Sequence, residues 1–143
     1  NFKNEPEVSS NFITIGAIGP VKNSLMIAPF SNYGNYNLDF FAPGALIYAP
    51  VPGNQYKALS GTSMAAPSVS GVAAIILSYY PKLSPKALKK VLMESVVQIN
   101  YDIELGYDRI KTTMNSISKT GGIVNVYNAL LYTSNHYKTL INL

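Results

Sequence analysis

The sequence predicts one α/β domain, on three observations. Short apolar runs stop at Gly-Pro and Pro-Gly corners, one long helix is apolar on nearly every face, and an amphipathic helix follows it across a proline. The 143 residues are 48% hydrophobic and 13% charged, the size and apolar content of a single globular unit rather than a disordered segment.

Phe12 to Ile18 carries β-branched residues and ends at Gly19-Pro20, so it reads as a buried strand. Residues 31–37 are turn chemistry. Leu38 to Ala42 reads as a short strand closed by Pro43-Gly44, and Ala45 to Ala49 as another closed by Pro50 and Pro52-Gly53. From Ser63 to Tyr80 apolar residues occupy all sides of a helix, the pattern of a helix buried in the middle of a fold. Pro67 falls in its opening turns, where it forfeits one bond to the carbonyl of Ser63. Pro81 ends it. Ser84-Pro85 then supplies an N-cap and a first-turn proline for a second helix reaching about Ser95. Residues 97–120 are polar, lack a sustained period and read as an irregular excursion, with Tyr101, Ile103, Leu105, Tyr107 and Ile110 able to cover part of the surface. Gly121-Gly122 leads into a last short helix ending near Leu131, and the tail, 133–143, is expected to fray or dock loosely.

Composition excludes several functions. Without cysteine there is no disulfide framework, thiolate zinc site or cysteine nucleophile. The net charge of +4 is weak, and its one concentration, Lys82, Lys86, Lys89 and Lys90, has the helical spacing of a solvated face rather than a nucleic-acid patch. The longest apolar run is interrupted by Ser and Gly and falls short of the ~20 residues that span a bilayer. The sequence opens at Asn1 with neither initiator Met nor leader, so it reads as a processed or excised segment.

The chemistry concentrates in Leu59-Ser-Gly-Thr-Ser-Met-Ala-Ala-Pro-Ser-Val-Ser-Gly71, where Gly61 permits a sharp turn and Ser63 lands at the mouth of the long helix. A Ser there has unpaired backbone N–H groups and the positive end of the helix dipole beside its Oγ, which suits an oxyanion formed in acyl transfer. A lone Gly-Thr-Ser would be read as a helix cap. The combination Gly61-Thr62-Ser63-Met64-Ala65-x-Pro67, followed by x-Val69-x-Gly71, closely resembles the active-site serine motif of subtilisin-like peptidases. Phe12 to Ile18, Phe30-Ser31 with Gly34, Phe41-Ala42-Pro43-Gly44, Ser84-Pro85 and Gly122-Ile-Val-Asn-Val126 resemble that family in the same order. The resemblance covers roughly 12–131.

The resemblance implies the C-terminal portion of a subtilisin-like three-layer fold, with a mainly parallel sheet and a buried central helix starting at the nucleophile. It implies a serine endopeptidase with an Asp-His-Ser triad, to which this chain contributes Ser63 and, in the oxyanion hole, the Ser63 backbone N–H. Gly61, Thr62 and Pro67 are the motif's support. In the family the acid and base precede the Ser, and no His precedes Ser63. The triad Asp and His and the oxyanion Asn are thus expected upstream. Asn1 and Asn4 lack the Ala-Gly-Asn context of that Asn. The implied partners are a peptide or protein substrate and the missing N-terminal half of the domain. No cofactor is identifiable, and calcium sites of the kind common in the family would fall in the missing half. Ser68 stands where many relatives have a helix His outside the triad. Leu59 and Ser60 resemble leaving-group-side positions and read equally well as ordinary strand residues. Most peptidases of this kind act outside the cytoplasm, so a secreted, periplasmic or cell-surface setting is expected.

Two other classes compete. Ser63, then Asp102 or Asp108, then His136 follows the chain order of an α/β-hydrolase triad, but Met64-Ala65 departs from the Gly-x-Ser-x-Gly elbow and His136 lies in a polar tail. Asp102, Glu104 and Asp108 have spacing that admits a metal site and reads first as solvated loop. A non-catalytic interaction piece or pseudo-peptidase fragment is the third reading.

Overall fold

The structure, a computed structural model, describes residues 11–21 and 23–143; Asn1 and Asn4 lie outside them. Strand β1 (Ile15–Ile18) pairs in parallel with β2 (Phe40–Pro43). A hairpin follows, β3 (Ile47–Val51) against β4 (Gln55–Leu59), and leads directly into α1 (Thr62–Tyr79). Helix α2 (Pro85–Glu94) precedes β5 (Val97–Gln98), the hairpin β6 (Ile103–Leu105) and β7 (Ile110–Thr112), and the short α3 (Met114–Ile117). The chain ends with β8 (Gly122–Ile123) and α4 (Val126–Leu140). The main sheet has the order β1-β2-β8-β5, parallel except where β5 meets β8. This is the α/β architecture with a mainly parallel sheet that the sequence leads one to expect.

Side chains alternate across the sheet because successive residues of a strand point to opposite faces. Ala17, Phe40 and Ala42 enter the core under α1, α2 and α4, while Phe41 enters a second core built from Ile103, Leu105, Met114 and Ile117 on the other face. The Phe41 ring lies across Gly16, where a Cβ would sit well inside its van der Waals contact. Residues 97–120 are therefore not an irregular excursion. A hairpin and a turn of helix form there because these four apolar side chains roof the far side of the sheet.

Buried Asp39, just before β2, ties three parts of the chain together. Its carboxylate accepts hydrogen bonds from the Thr14 N–H at 2.9 Å and from Lys119 Nζ at 2.9 Å, with Lys89 Nζ at 3.5 Å. Its backbone N–H donates to the Thr14 carbonyl, and its own carbonyl accepts from the Thr120 N–H and hydroxyl. Lys89 also donates to the Phe12 carbonyl at 2.6 Å. This corrects the reading of Lys89 as part of a solvated face: it is 9% exposed, because its stem packs inward while its ammonium reaches the carboxylate. Lys82, Lys86 and Lys90 are exposed as expected.

Helix α2 begins as its sequence dictates, with Ser84 Oγ accepting from the Ala87 N–H and Pro85 in the first turn. The tail departs from expectation. Instead of fraying past residue 133, α4 continues to Leu140, with Thr133 and Leu140 buried and the Tyr137 ring 4.9 Å from that of Tyr80. Helix α1 departs in part. Only Ala65, Val69 and Ile76 of its eighteen residues are buried, on the side facing β1 and β2. Ser63, Ala66, Pro67, Ser70, Gly71, Ala74 and Ile75 line an exposed face. By length and composition α1 could cross a bilayer; its serines, Gly71 and Pro67, together with its packing on the sheet, make it a core helix open along one side.

Removing one partner from a buried ion pair strands the others, so Asp39→Ala should destabilise the fold by about 3–5 kcal/mol. Urea unfolding checks this, with exposed Lys86→Ala as a control expected to change stability by less than about 0.5 kcal/mol.

Candidate active site

Ser63 is the second residue of α1 and is exposed. The first N–H groups of a helix have no intrahelical acceptor. Here no side chain caps them, and the first turn carries no acidic residue. Met64 N–H turns back to the Gly61 carbonyl at 3.0 Å. The Ser63 hydroxyl thus stands in the positive field of the α1 N-terminus, open to solvent. Pro67 has no N–H to offer the Ser63 carbonyl, as its sequence position requires.

The turn that presents Ser63 is fastened to the carboxyl end of the β1–β2 pair. Gly44 N–H donates to the Ile18 carbonyl at 3.0 Å, and Gly61 N–H donates to the Gly44 carbonyl at 2.8 Å. Gly44 has to be glycine for this approach. A Cβ there would lie 2.7 Å from Ala17 Cβ and 2.8 Å from the Gly61 carbonyl oxygen. Gly61, expected to supply a sharp turn, is extended instead, with φ 165°. It matters as a donor to Gly44. Thr62 forms the first residue of α1 and is partly buried.

Ser60 completes the fastening, its Oγ accepting from the Leu46 N–H at 2.9 Å. Leu46 has φ 56°, a left-handed conformation unusual for a leucine. Leu59 ends β4, paired with Ile47. Ser68 bonds back to the Met64 carbonyl at 3.3 Å. Beside this turn an apolar cavity of about 570 Å³ opens at the strand ends, lined in part by Ile18, Pro43, Ala45 and Leu46. The Pro43-Gly44 corner was visible in the sequence as a turn, but nothing there marked Gly44 as the contact on which the Ser63 turn rests.

The other sequence candidates do not join Ser63. His136 stacks on Tyr132 at 4.3 Å and bonds to the Tyr132 carbonyl, in a groove between α2 and α4 that neither Ser63, Asp102 nor Asp108 lines. Asp102 and Asp108 are exposed, and Glu104 lies in the β6–β7 hairpin. Hydrogen bonds from Arg109 and from Ser24 hold the Glu104 carboxyl below the usual carboxylate range. Among the described residues no group of three or more His, Cys, Asp or Glu is placed to hold a metal ion.

A parallel sheet whose strand ends carry a serine at a helix N-terminus is the architecture of a subtilisin-like peptidase domain. The subtilase family model matches residues 3–125, and the chain belongs to that family. It is 39% identical over 94 residues to Subtilisin DY of Bacillus licheniformis, covering 66% of this chain and 33% of that protein. It is 35% identical over 133 residues to the thermophilic serine proteinase of Bacillus sp. (strain AK1), covering 90% of this chain and 27% of that one. Among solved structures, a cold adapted subtilisin-like serine proteinase matches with a TM-score of 0.56 and 32% identity, over 81% of this chain and 35% of its own. The chain thus spans about a third of the length of these relatives. Membership of this family removes the α/β-hydrolase reading built on His136.

Because Gly44 leaves no room for a side chain, Gly44→Ala should push the Ser63 turn off the sheet. The expected cost is about 1–3 kcal/mol of stability and, in the protein with its complete catalytic set, a loss of reactivity at Ser63 on the order of 100-fold. Thermal unfolding and the labelling rate with a fluorophosphonate measure the two effects.

Proposed function

We propose that this chain supplies the nucleophile, Ser63, of a serine endopeptidase whose Asp, His and oxyanion Asn come from polypeptide outside its 143 residues. The observation that carries the reading is the exposed Ser63 hydroxyl at the uncapped start of α1, fastened through Gly61 and Gly44 to the sheet. In the reaction the His takes the Oγ proton as Oγ attacks the substrate carbonyl carbon. The oxyanion then receives hydrogen bonds from the Ser63 N–H and the Asn side chain. Collapse breaks the peptide bond, the His proton leaves with the amine, and water releases the acyl group by the reverse sequence. Thr62 and Pro67 act as supports of the motif and not as reacting groups. An exported parent protein fits this chemistry and the family's usual setting.

Alone, Ser63 is an alcohol without a base. The isolated chain should therefore show no peptidase activity and no specific fluorophosphonate labelling. Joined to the upstream half of the domain, it should label at Ser63, and Ser63→Ala should abolish the label. Labelling that survives Ser63→Ala would assign the nucleophile elsewhere, and labelling of the isolated chain would overturn the need for outside residues.

The exposed face of α1 is where the upstream half would pack. Ala66, Ser70, Gly71 and Ala74 are small enough to let another backbone approach closely, and they continue from Ser63 along one side of the helix. On this reading the isolated chain self-associates and the upstream half converts it to a 1:1 complex, as followed by light scattering. A cooperatively folded, monomeric isolated chain would contradict it.

A further inference from the structure

The helical side of the molecule is basic. Lys82, Lys86 and Lys90 follow one another at four-residue intervals along α2 and the turn before it, and all three are exposed, as is Lys138 in the last turn of α4. None of the four is in an ion pair among the described residues. On α1, α2 and α4 the one acidic residue is Glu94, at the end of α2. Exposed Asp102 and Asp108 belong instead to the β6–β7 region, which roofs the opposite face of the sheet.

Large apolar groups are exposed on this same side. Tyr79 is 73% exposed, Tyr127 70% and Leu131 49%. Tyr79, at the end of α1, lines a cavity of about 340 Å³ together with Tyr127 and Leu131 of α4. Leu131 also lines the adjoining groove with Glu94, where the lysine stripe of α2 ends, and Tyr79 is three residues from Lys82, where it begins. The stripe and the aromatic patch therefore form one continuous surface. It is distinct from the open face of α1 beside Ser63. At 3.6 residues per turn Tyr79 lies about 160° round the helix from Ser63 and about 24 Å along it.

We propose that this surface docks the protein on an anionic phospholipid bilayer. Its charge selects an anionic partner, and a second copy of the same face is repelled. Lysines are mobile point charges that suit a field of headgroups, whereas a fixed carboxylate or phosphate is gripped best by the planar fork of arginine. The chain's one arginine, Arg109, sits in the β6–β7 turn on the other face. Four lysines are enough for appreciable attraction to an anionic leaflet. A tyrosine ring has an apolar body and a polar tip, so Tyr79 and Tyr127 settle at headgroup level while Leu131 reaches the acyl boundary. The length of α1 then keeps Ser63 clear of the bilayer, and docking localises the protein without covering the serine.

Cosedimentation of the complete protein with phosphatidylcholine vesicles and with mixed phosphatidylcholine–phosphatidylserine vesicles tests this. Binding is expected to the mixed vesicles only and to disappear at high salt. Lys82→Gln, Lys86→Gln and Lys90→Gln should each lower partitioning about fivefold, while Lys111→Gln, on the β6–β7 hairpin, leaves it unchanged. Tyr79→Ser with Tyr127→Ser should lower it several-fold and keep its salt dependence. All these residues are exposed, so the variants should retain the parent's circular dichroism. Equal binding to both vesicles, a loss in Lys111→Gln as large as in Lys86→Gln, or binding of soluble polyglutamate with no binding to either vesicle would each overturn the proposal.

Discussion

The join between the sheet edge, α2 and the segment before β8 depends on the buried carboxylate of Asp39. It stands at the start of β2 and draws in Thr14 from the approach to β1, Lys89 from α2 and Lys119 from the approach to β8. These residues come from distant parts of the chain, so one side chain fixes the sheet edge, the helix layer behind it and the returning strand. Burying a charge is costly unless the geometry is good and the remaining lone pairs are satisfied. Both carboxylate oxygens of Asp39 are engaged, and its backbone groups are paired as well. The cluster has little slack, and its arrangement is communicated to β2, whose far end carries Pro43-Gly44.

From that corner the order of the structure passes to Ser63 by backbone hydrogen bonds alone. Ile18 holds Gly44, Gly44 holds Gly61, and Gly61 precedes the first turn of α1. The Ser63 hydroxyl is therefore located by main-chain geometry, while side chains near it pin the flanking hairpin, as Ser60 does for Leu46. The helix that carries Ser63 is half clothed by this chain, with its sheet-facing residues buried and its opposite face open. Ser63 and the open face of α1 thus lie on the same side of one helix.

Much of this was legible in the sequence where local chemistry decides the outcome. Ser84-Pro85 forecast the cap and first turn of α2, Pro81 the end of the long helix, and the Gly-Thr-Ser motif the place of Ser63 at a helix mouth. Strand β4 was not legible, because Gln55-Tyr-Lys-Ala-Leu59 has neither β-branched residues nor a buried face and pairs only because the turn before it folds it onto β3. Asp39 and Lys89 were equally silent. A lysine at a helical spacing reads as solvated, and only the arrival of a carboxylate fifty residues away in sequence makes burial worthwhile. The length of α4 followed from Thr133, Tyr137 and Leu140 packing inward, a tertiary effect that a polar-looking tail conceals.

The alternation along β2 has a consequence for how this family can vary. Phe40 and Ala42 serve the core beneath the helices, Phe41 serves the opposite core, and Gly44, two residues past Ala42, sets the Ser63 turn. A one-residue slip would send each of these side chains to the wrong face and put a bulkier residue, or none of the needed carbonyls, under Gly61. Insertions and deletions should accumulate in 31–37 and in the β6–β7 hairpin while the stretch from Asp39 to Gly44 keeps its length. That stretch acts as a ruler, measuring in whole residues the distance from the buried charge to the contact beneath the Ser63 turn.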